Sequence, residues 1–414
     1  MLQLFRRVCS ERPGANTKVV PIPGDLCADG LGLSDEHRAL VQRECSIVFH
    51  VAATLKLEAP LKDALLQNTC ATAHVIELVK GMSKLVSFVH LSTAFCHVDE
   101  LLLEERTYEP LYEPEDMMKS LTWLSVVPAW KEPLQGWVDN LNGPMGLLVG
   151  AGKGVIRSMH CKADYHAEVI PVDIAINGMI AAAWRRACDK NKEIQVYNAT
   201  QGRAEPITWG GVLEKGRRFI YEYPLENAVW YPDGDMRSSR FMHNVCVLFM
   251  HILPAIFIDL LLTIFGQKRF MMRIQKRITD GLELLQYFTT REWVFDNDNF
   301  EQLKDIMCPE DRAEFNTSFK TVVHEEFLKN CVLGARQYCL KEDLSTLPAS
   351  RRHIRRLWWV QQIFWFVIYC SLIYYALSYS ETAMEVIDRT SSYVKESLRS
   401  IPFARLVPFA GSPK

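Results

Sequence analysis

The twelve cysteines of this 414-residue chain include no Cys-x-x-Cys pair and share no repeated spacing, so neither a zinc site nor a disulfide framework can be read from them. Scattered singly from Cys9 to Cys370, they are expected to be reduced thiols in the cytosol or on a cytosol-facing domain. An excess of either charge is lacking too. The 47 basic and 49 acidic side chains leave a net of -2, and nothing favours nucleic acid as a partner. Met1 to Arg12 carries arginines but no following apolar core long enough for a signal peptide. MLQLFRRV is expected instead to be the last turns of a helix whose start lies upstream. Internal repeats and low-complexity segments are absent. The Asp/Asn cluster in Phe295 to Asn299 has no Glu at the spacing of a calcium loop and is expected to cap helices. No metal ligand set is expected.

The chain does hold three short apolar runs separated by helix-sized segments: Lys18 to Leu26, Ser46 to Thr54 and Leu85 to His97. Each is β-branched or aromatic, nearly uncharged, and ends in small or polar residues. That pattern predicts strands buried on both faces of a parallel sheet, with their carboxyl ends opening into a ligand crevice. Between the last two runs, Pro60 to Lys80 carries Leu61, Leu65, Leu66, Val75, Ile76, Leu78 and Val79 at helical spacing. Pro60 suits a first helical position and Gly81 a position just past the end. Chemistry is therefore expected at Gly24-Asp25, at His50-Val51-Ala52-Ala53 and at Ser92-Thr93-Ala94. With 49% hydrophobic residues the chain can bury a sizeable core in two or three domains.

The blocks PIPGDL (Pro21 to Leu26), IVFHVAAT (Ile47 to Thr54), LLQNT (Leu65 to Thr69) and FVHLSTAFCH (Phe88 to His97) resemble the fatty acyl-CoA reductases, of the extended short-chain dehydrogenase/reductase superfamily. The long stretches Pro128 to Arg157 and Val169 to Trp184, and the motifs FDNDN, EDRAEFN and GARQYCLKEDLSTLP, are similar to the same family. The resemblance runs from about Lys18 to Leu377. It implies an α/β fold, an incomplete Rossmann-type doubly wound parallel sheet, followed by a mostly helical C-terminal domain with one or two membrane segments. The implied division is a reductase domain over 1–235, an interfacial or transmembrane segment over 245–265, a helical domain over 266–356, a transmembrane helix over 357–377 and a tail over 378–414.

The resemblance also assigns roles. The turn with Asp25 and Leu26 would lie against the adenine of NADPH, although from the residues alone a turn-capping Asp is the favoured reading. Ala52 and Ala53 would let the nucleotide approach the main chain, and Asn68 would brace the site. Ser92 or Thr93 would hydrogen-bond the substrate carbonyl and stabilise the developing alkoxide; a cap or turn is the competing reading. Ala71 stands where relatives usually have Gly.

Two expected pieces are missing. The family's proton donor is a Tyr with a Lys one helical turn later, yet none of the fourteen tyrosines has Lys at that position, and the nearest approach is Tyr287 with Arg291. The chain passes directly from Leu121–Ser125 to Val126–Pro133, where relatives have further sequence, so an internal omission is expected near Ser125–Val127. The glycine-rich phosphate loop should lie upstream of Met1; Gly30-Leu31-Gly32 does not complete its pattern. Gly150-Ala151-Gly152-Lys153-Gly154 lacks the Ser/Thr of a phosphate-binding loop and reads as a loop beside the substrate channel. Removing the first strands should leave apolar faces of the sheet open.

Glu168 to Ala183 is predicted as a strand end running into a helix capped near Asp173, Ile194 to Ala199 as a short strand, and Gln201 to Arg240 as a polar passage. Val245 to Phe265 and Leu357 to Leu377 are each long enough to cross a bilayer. The first contains His251, Pro254 and Asp259 and is followed by Lys268, Arg269, Arg273, Lys276 and Arg277. It is expected to lie in the interface or re-enter it. The second follows Arg351, Arg352, Arg355 and Arg356 and is expected to be the anchor. The whole predicts NADPH-dependent reduction of long-chain fatty acyl-CoA to fatty alcohol through an aldehyde. The expected location is the endoplasmic reticulum membrane, with the reductase domain in the cytosol, membrane lipid as a partner and room for homo-oligomerisation. The rival is a non-catalytic, membrane-anchored binding or regulatory isoform, and this polypeptide alone is expected to show no measurable reductase activity.

Overall fold

The computed structural model describes residues 8–54, 61–97, 100–108, 126–141, 143–189, 193–202, 207–378 and 389–392. Most of MLQLFRRV, Pro60, Leu121–Ser125 and most of the tail, all singled out above, lie outside them. The chain divides into two units, Met1–Arg351 and Arg352–Lys414.

In the first unit, helix α1 (Asp35–Glu44) starts at Ser34, whose hydroxyl accepts the His37 amide at 3.2 Å. Strand β1 (Ile47–His50) follows. The expected helix is present as Leu61–Ala64, a π-turn Leu65–Cys70 and Ala71–Lys80 in unbroken succession, together α2. Gly81 ends it with φ -84°, outside the left-handed region. Strand β2 (Ser87–His90) then pairs parallel to β1, His50 opposite His90. Val75, Leu78 and Val79 bury the inner face of α2 against Val48, Phe88 and Leu31.

The expected burial on both faces does not hold. Ile47, Phe49 and Val51 are exposed, since alternate side chains of a strand point to opposite faces and only one face of β1 meets a helix among the described residues. Val19 to Ile22 is not a strand: Val19 and Val20 are exposed, and it pairs with no strand among the described residues. Ile194–Ala199 likewise carries no ladder. In place of one doubly wound sheet, the described residues form four parallel strand pairs. Besides β1–β2, these are β3 (Leu102–Leu103) with β8 (Val294–Phe295), β4 (Val126–Val127) with β6 (Ile170–Pro171), and β5 (Ser158–His160) with β7 (Asp235–Arg237).

Helices fill the rest: α3 (Pro144–Gly152), α4 (Val172–Cys188), α5 (Trp209–Glu222), an apolar helix α6 (Arg240–Ile264), α7 (Met271–Thr289), α8 (Asp298–Ile306) and α9 (His324–Gly334). The supposed polar passage thus contains α5, capped by Thr208, and β7. Asp173 sits in the first turn of α4 but does not cap it. Its carboxylate accepts the amides of Trp130, Lys131 and Glu132 at 2.9, 2.8 and 3.1 Å, fastening the PAWKEP loop to the helix.

Two motif glycines are explained by contact. A Cβ on Gly334 would overlap the Gly136 carbonyl, and one on Gly136, at φ +70°, would overlap the Asn330 carbonyl. The loop and α9 therefore touch main chain to main chain, which only glycine allows. A core running from Val127 through Ile174, Phe219 and Phe300 to Val332 joins the two halves of the first unit. Most of the second unit's described part is the continuation of a helix, Leu347–Ser378, whose side chains from Trp359 to Tyr375 are largely exposed.

Candidate functional site

A cavity of about 600 Å³ opens at the carboxyl end of β2, within the range of roughly 300–1,000 Å³ usual for small-molecule sites. One wall is the run Phe88–Cys96. The opposite wall is α4, which packs on β2 and presents Ala175, Gly178, Met179 and Ala182. Small residues at helical spacing keep that wall low; at Gly178 the Phe300 ring occupies the place of a Cβ. Phe295 and Phe95 close another side, their rings edge to face at 5.1 Å. The lining is mostly apolar.

The two hydroxyls at the strand end differ. Thr93 is 6% exposed, and its Oγ1 accepts the Phe95 amide at 3.2 Å, capping a short turn over Ala94–Cys96. Ser92 is exposed in the cavity wall and makes no side-chain hydrogen bond among the described residues. The capping reading thus describes Thr93 and leaves the Ser92 hydroxyl available to a ligand.

On the side expected to meet the cofactor, Ala52 and Ala53 are exposed just past the end of β1. With nothing beyond Cβ they present open main chain across the strand ends, which fits a dinucleotide lying there. Asn68 braces this stretch: its Oδ1 accepts the Thr54 amide at 2.7 Å. The Thr72 hydroxyl donates to the Asn68 carbonyl at 2.6 Å and meets His50 Nε2 at 3.0 Å, so His50, Thr72 and Asn68 form one connected brace. Asp25 is exposed, and its Oδ1 accepts the Cys27 amide at 2.9 Å, a turn-capping role. The Leu26 carbonyl meets His74 Nδ1 at 3.1 Å.

Besides His50, which lies in an expected strand end, several polar residues at the site were not singled out from sequence. His50 and His90 stack at 5.0 Å, and burial lowers both pKa values. Their presence in otherwise apolar strands was the available signal. Glu168 lines the cavity, and burial pushes its carboxyl up to about 7 against the single Gln201 amide at 3.3 Å. Glu105, raised to about 7 by burial, accepts the amides of Asn198, Asn299 and Phe300 and so holds the start of α8 next to the cavity. Nothing in the sequence around Glu105 marked this long-range contact.

Gly150–Gly154 is the carboxyl end of α3 and the turn after it. A helix carboxyl end carries partial negative charge and cannot cradle phosphate. Lys153 pairs with Glu342 at 3.3 Å, and Arg157 pairs with Asp233 at 3.3 Å while its guanidinium lies over the Trp230 ring.

An NAD-binding family profile described as male sterility protein matches residues 3–125 and 123–179, and a second profile of the same description matches 250–342. The first match breaks into two pieces that overlap at 123–125, next to the junction where an internal omission is expected from the sequence. The chain is 31% identical over 401 residues to fatty acyl-CoA reductase 1 of Rattus norvegicus, 32% to that of Xenopus laevis and 31% to fatty acyl-CoA reductase 2 of Mus musculus. Each alignment takes 86% of this chain and 78% of the relative. Since 401 aligned positions draw on only 86% of 414 residues, several tens of the relatives' residues face a gap here. The profiles and these identities establish that the chain belongs to the fatty acyl-CoA reductase family, enzymes that use a nicotinamide cofactor.

Proposed function

We propose that the gene product reduces long-chain fatty acyl-CoA to fatty alcohol with NADPH at a membrane, and that the cavity at the end of β2 receives the acyl group. The observation carrying this reading is Ser92, an unengaged hydroxyl in the wall of an apolar cavity at a parallel strand end. Its O–H donates to the thioester carbonyl, and later to the aldehyde carbonyl, and stabilises the oxygen as negative charge develops. Thr93 holds the turn that presents Ser92. Ala52, Ala53 and the Asn68 brace form the edge where the dinucleotide lies, with Asp25 and Leu26 at its adenine end. NADPH, when bound, supplies the hydride. The helix through Leu357–Leu377 anchors the chain, with the reductase domain on the cytosolic side of the endoplasmic reticulum, because Arg351, Arg352, Arg355 and Arg356 precede it.

One observation favours a second reading, a non-catalytic binding or regulatory protein that associates with complete enzyme. No Tyr-x-x-x-Lys motif exists in the sequence, and the profile match breaks where it belongs. Loss of a proton donor typically costs about 10²–10⁴-fold in rate. A long read of the native transcript across the codons for Ser125 to Val127, followed by expression of its product in cells lacking other reductases, separates the two. An inserted Tyr-x-x-x-Lys, with alcohol formed above a Ser92→Ala, Thr93→Ala control, is the expected result. A transcript matching these 414 residues, and no alcohol, leaves the non-catalytic protein.

A further inference from the structure

The long apolar helix α6 is tied to the folded body along one face only. Cys246, His251, Ala255 and Asp259 are buried, at 9%, 3%, 2% and 7% exposure. The π-turn Leu248–Ile252 places one extra residue between the first two, which keeps all four in one stripe. His251 Nε2 accepts the Arg157 amide at 2.9 Å. Asp259 accepts the amides of Phe270, Met271 and Met272 at 3.0, 2.9 and 3.0 Å, so it holds the first turn of α7 back against α6. The opposite face, with Phe249, Leu253, Phe257, Leu260 and Ile264, is exposed and apolar.

Both ends of this hairpin return to the same place. Helix α6 begins just after β7, and the Ser158 hydroxyl of β5 meets His243 at 2.9 Å. At the far end of α7, Thr289 Oγ1 donates to the His160 carbonyl of β5 at 3.0 Å. A single crossing would leave the two ends on opposite sides of a bilayer. Helix α7 cannot be the return span, because Arg273, Lys276, Arg277, Asp280 and Glu283 would enter hydrocarbon. We propose that the α6–α7 hairpin is a monotopic seat on an anionic lipid surface: the apolar face of α6 dips into the acyl boundary, and Lys268, Arg269, Arg273, Lys276 and Arg277 meet the headgroups.

The cations select the occupant. All five are exposed, and none forms a salt bridge among the described residues. A second copy of the chain docked face to face would bring the same five charges together across a two-fold axis. An anionic leaflet offers each of them a counter-charge. The two ends fixed to β5 thus favour an interfacial helix over a spanning one, and the inference rests on the membrane reading above only in taking a bilayer to be present.

The test places a benzophenone-bearing amino acid at Phe257, and in parallel at Phe366 on the anchoring helix, in the full chain reconstituted into vesicles. Irradiation should give lipid adducts at Phe257 in phosphatidylserine-containing vesicles. The yield should be severalfold lower in pure phosphatidylcholine, in high salt, or when the five cations are changed to Gln. Adducts at Phe366 should be indifferent to all three changes. Equal Phe257 yields with and without anionic lipid, as a full span would give, overturn the proposal, and so does a Phe257 adduct to a second copy. Lipid adducts at Phe366 but none at Phe257 also overturn it, whereas none at either position sinks the membrane reading itself.

Discussion

Replacing Arg336 with methionine should cost the fold about 3–5 kcal/mol. The guanidinium is 0% exposed and pairs with Glu342, 7% exposed, at 3.1 Å and with Glu226 at 3.4 Å. It also donates to the Pro224 carbonyl, to the Asp343 carbonyl at 3.0 Å and to the Thr346 hydroxyl. Glu342 in turn holds Lys153 at 3.3 Å and accepts the Glu226 amide at 2.9 Å. The network thus joins the GAGKG turn to the GARQYCLKED motif. Methionine approximates the volume but strands a buried carboxylate with one half-buried lysine. The apparent melting temperature of the detergent-solubilised chain, followed by tryptophan fluorescence, should fall by about 5–10 °C. Arg336→Lys should rescue little, since one ammonium cannot reach every acceptor that the guanidinium fork meets. Glu342→Gln should cost less, and the double variant should fall short of the sum by about 1–3 kcal/mol. Strict additivity, or an Arg336→Met chain as stable as wild type, refutes the claim that this buried network joins the two halves.

Gly334→Ala should yield little folded protein, because its Cβ would overlap the Gly136 carbonyl, whereas Gly216→Ala meets only Leu148 Cδ1 at 3.7 Å and should be neutral or stabilising by expression and melting. Gly178→Ala would drive the Phe300 ring toward the cavity, and weaker retention of long-chain than of short-chain acyl-CoA in a binding assay would show it. Burial raises the Glu168 carboxyl from 4.5 to about 7 in the fold. Its contribution to stability is therefore full below the unfolded value and lost as pH rises through about 7. The melting temperature should drop between about pH 5 and pH 8, and less so in Glu168→Gln; parallel pH profiles would contradict this.

What was legible in the sequence was local. The α2 periodicity, the two apolar strands and the apolar α4 stretch are where the residues place them. What failed needed partners that no short window contains. Val19–Ile22 has strand residues but no strand beside it among the described residues. Helix α5 was hidden because Gly210 and Gly211 sit in its first turn, where helix propensity is weakest, and Gly210 donates its amide to the Ala163 carbonyl instead. Asp173 looks like a cap in sequence, but the amides it holds belong to residues more than forty positions earlier. At the site, sequence could not separate Ser92 from Thr93; only the turn over Ala94–Cys96 shows which hydroxyl is already used.

The most direct test of the central claim is the infrared spectrum of a palmitoyl thioester, carbon-13-labelled at its carbonyl, bound to the full chain. A hydrogen bond from Ser92 should shift the carbonyl stretch to lower frequency, and Ser92→Ala should return it to the unbonded value while Thr93→Ser, which keeps the cap over Ala94–Cys96, leaves it shifted. The same frequency in wild type and Ser92→Ala, with the ligand bound in both, would show that Ser92 does not hold the carbonyl.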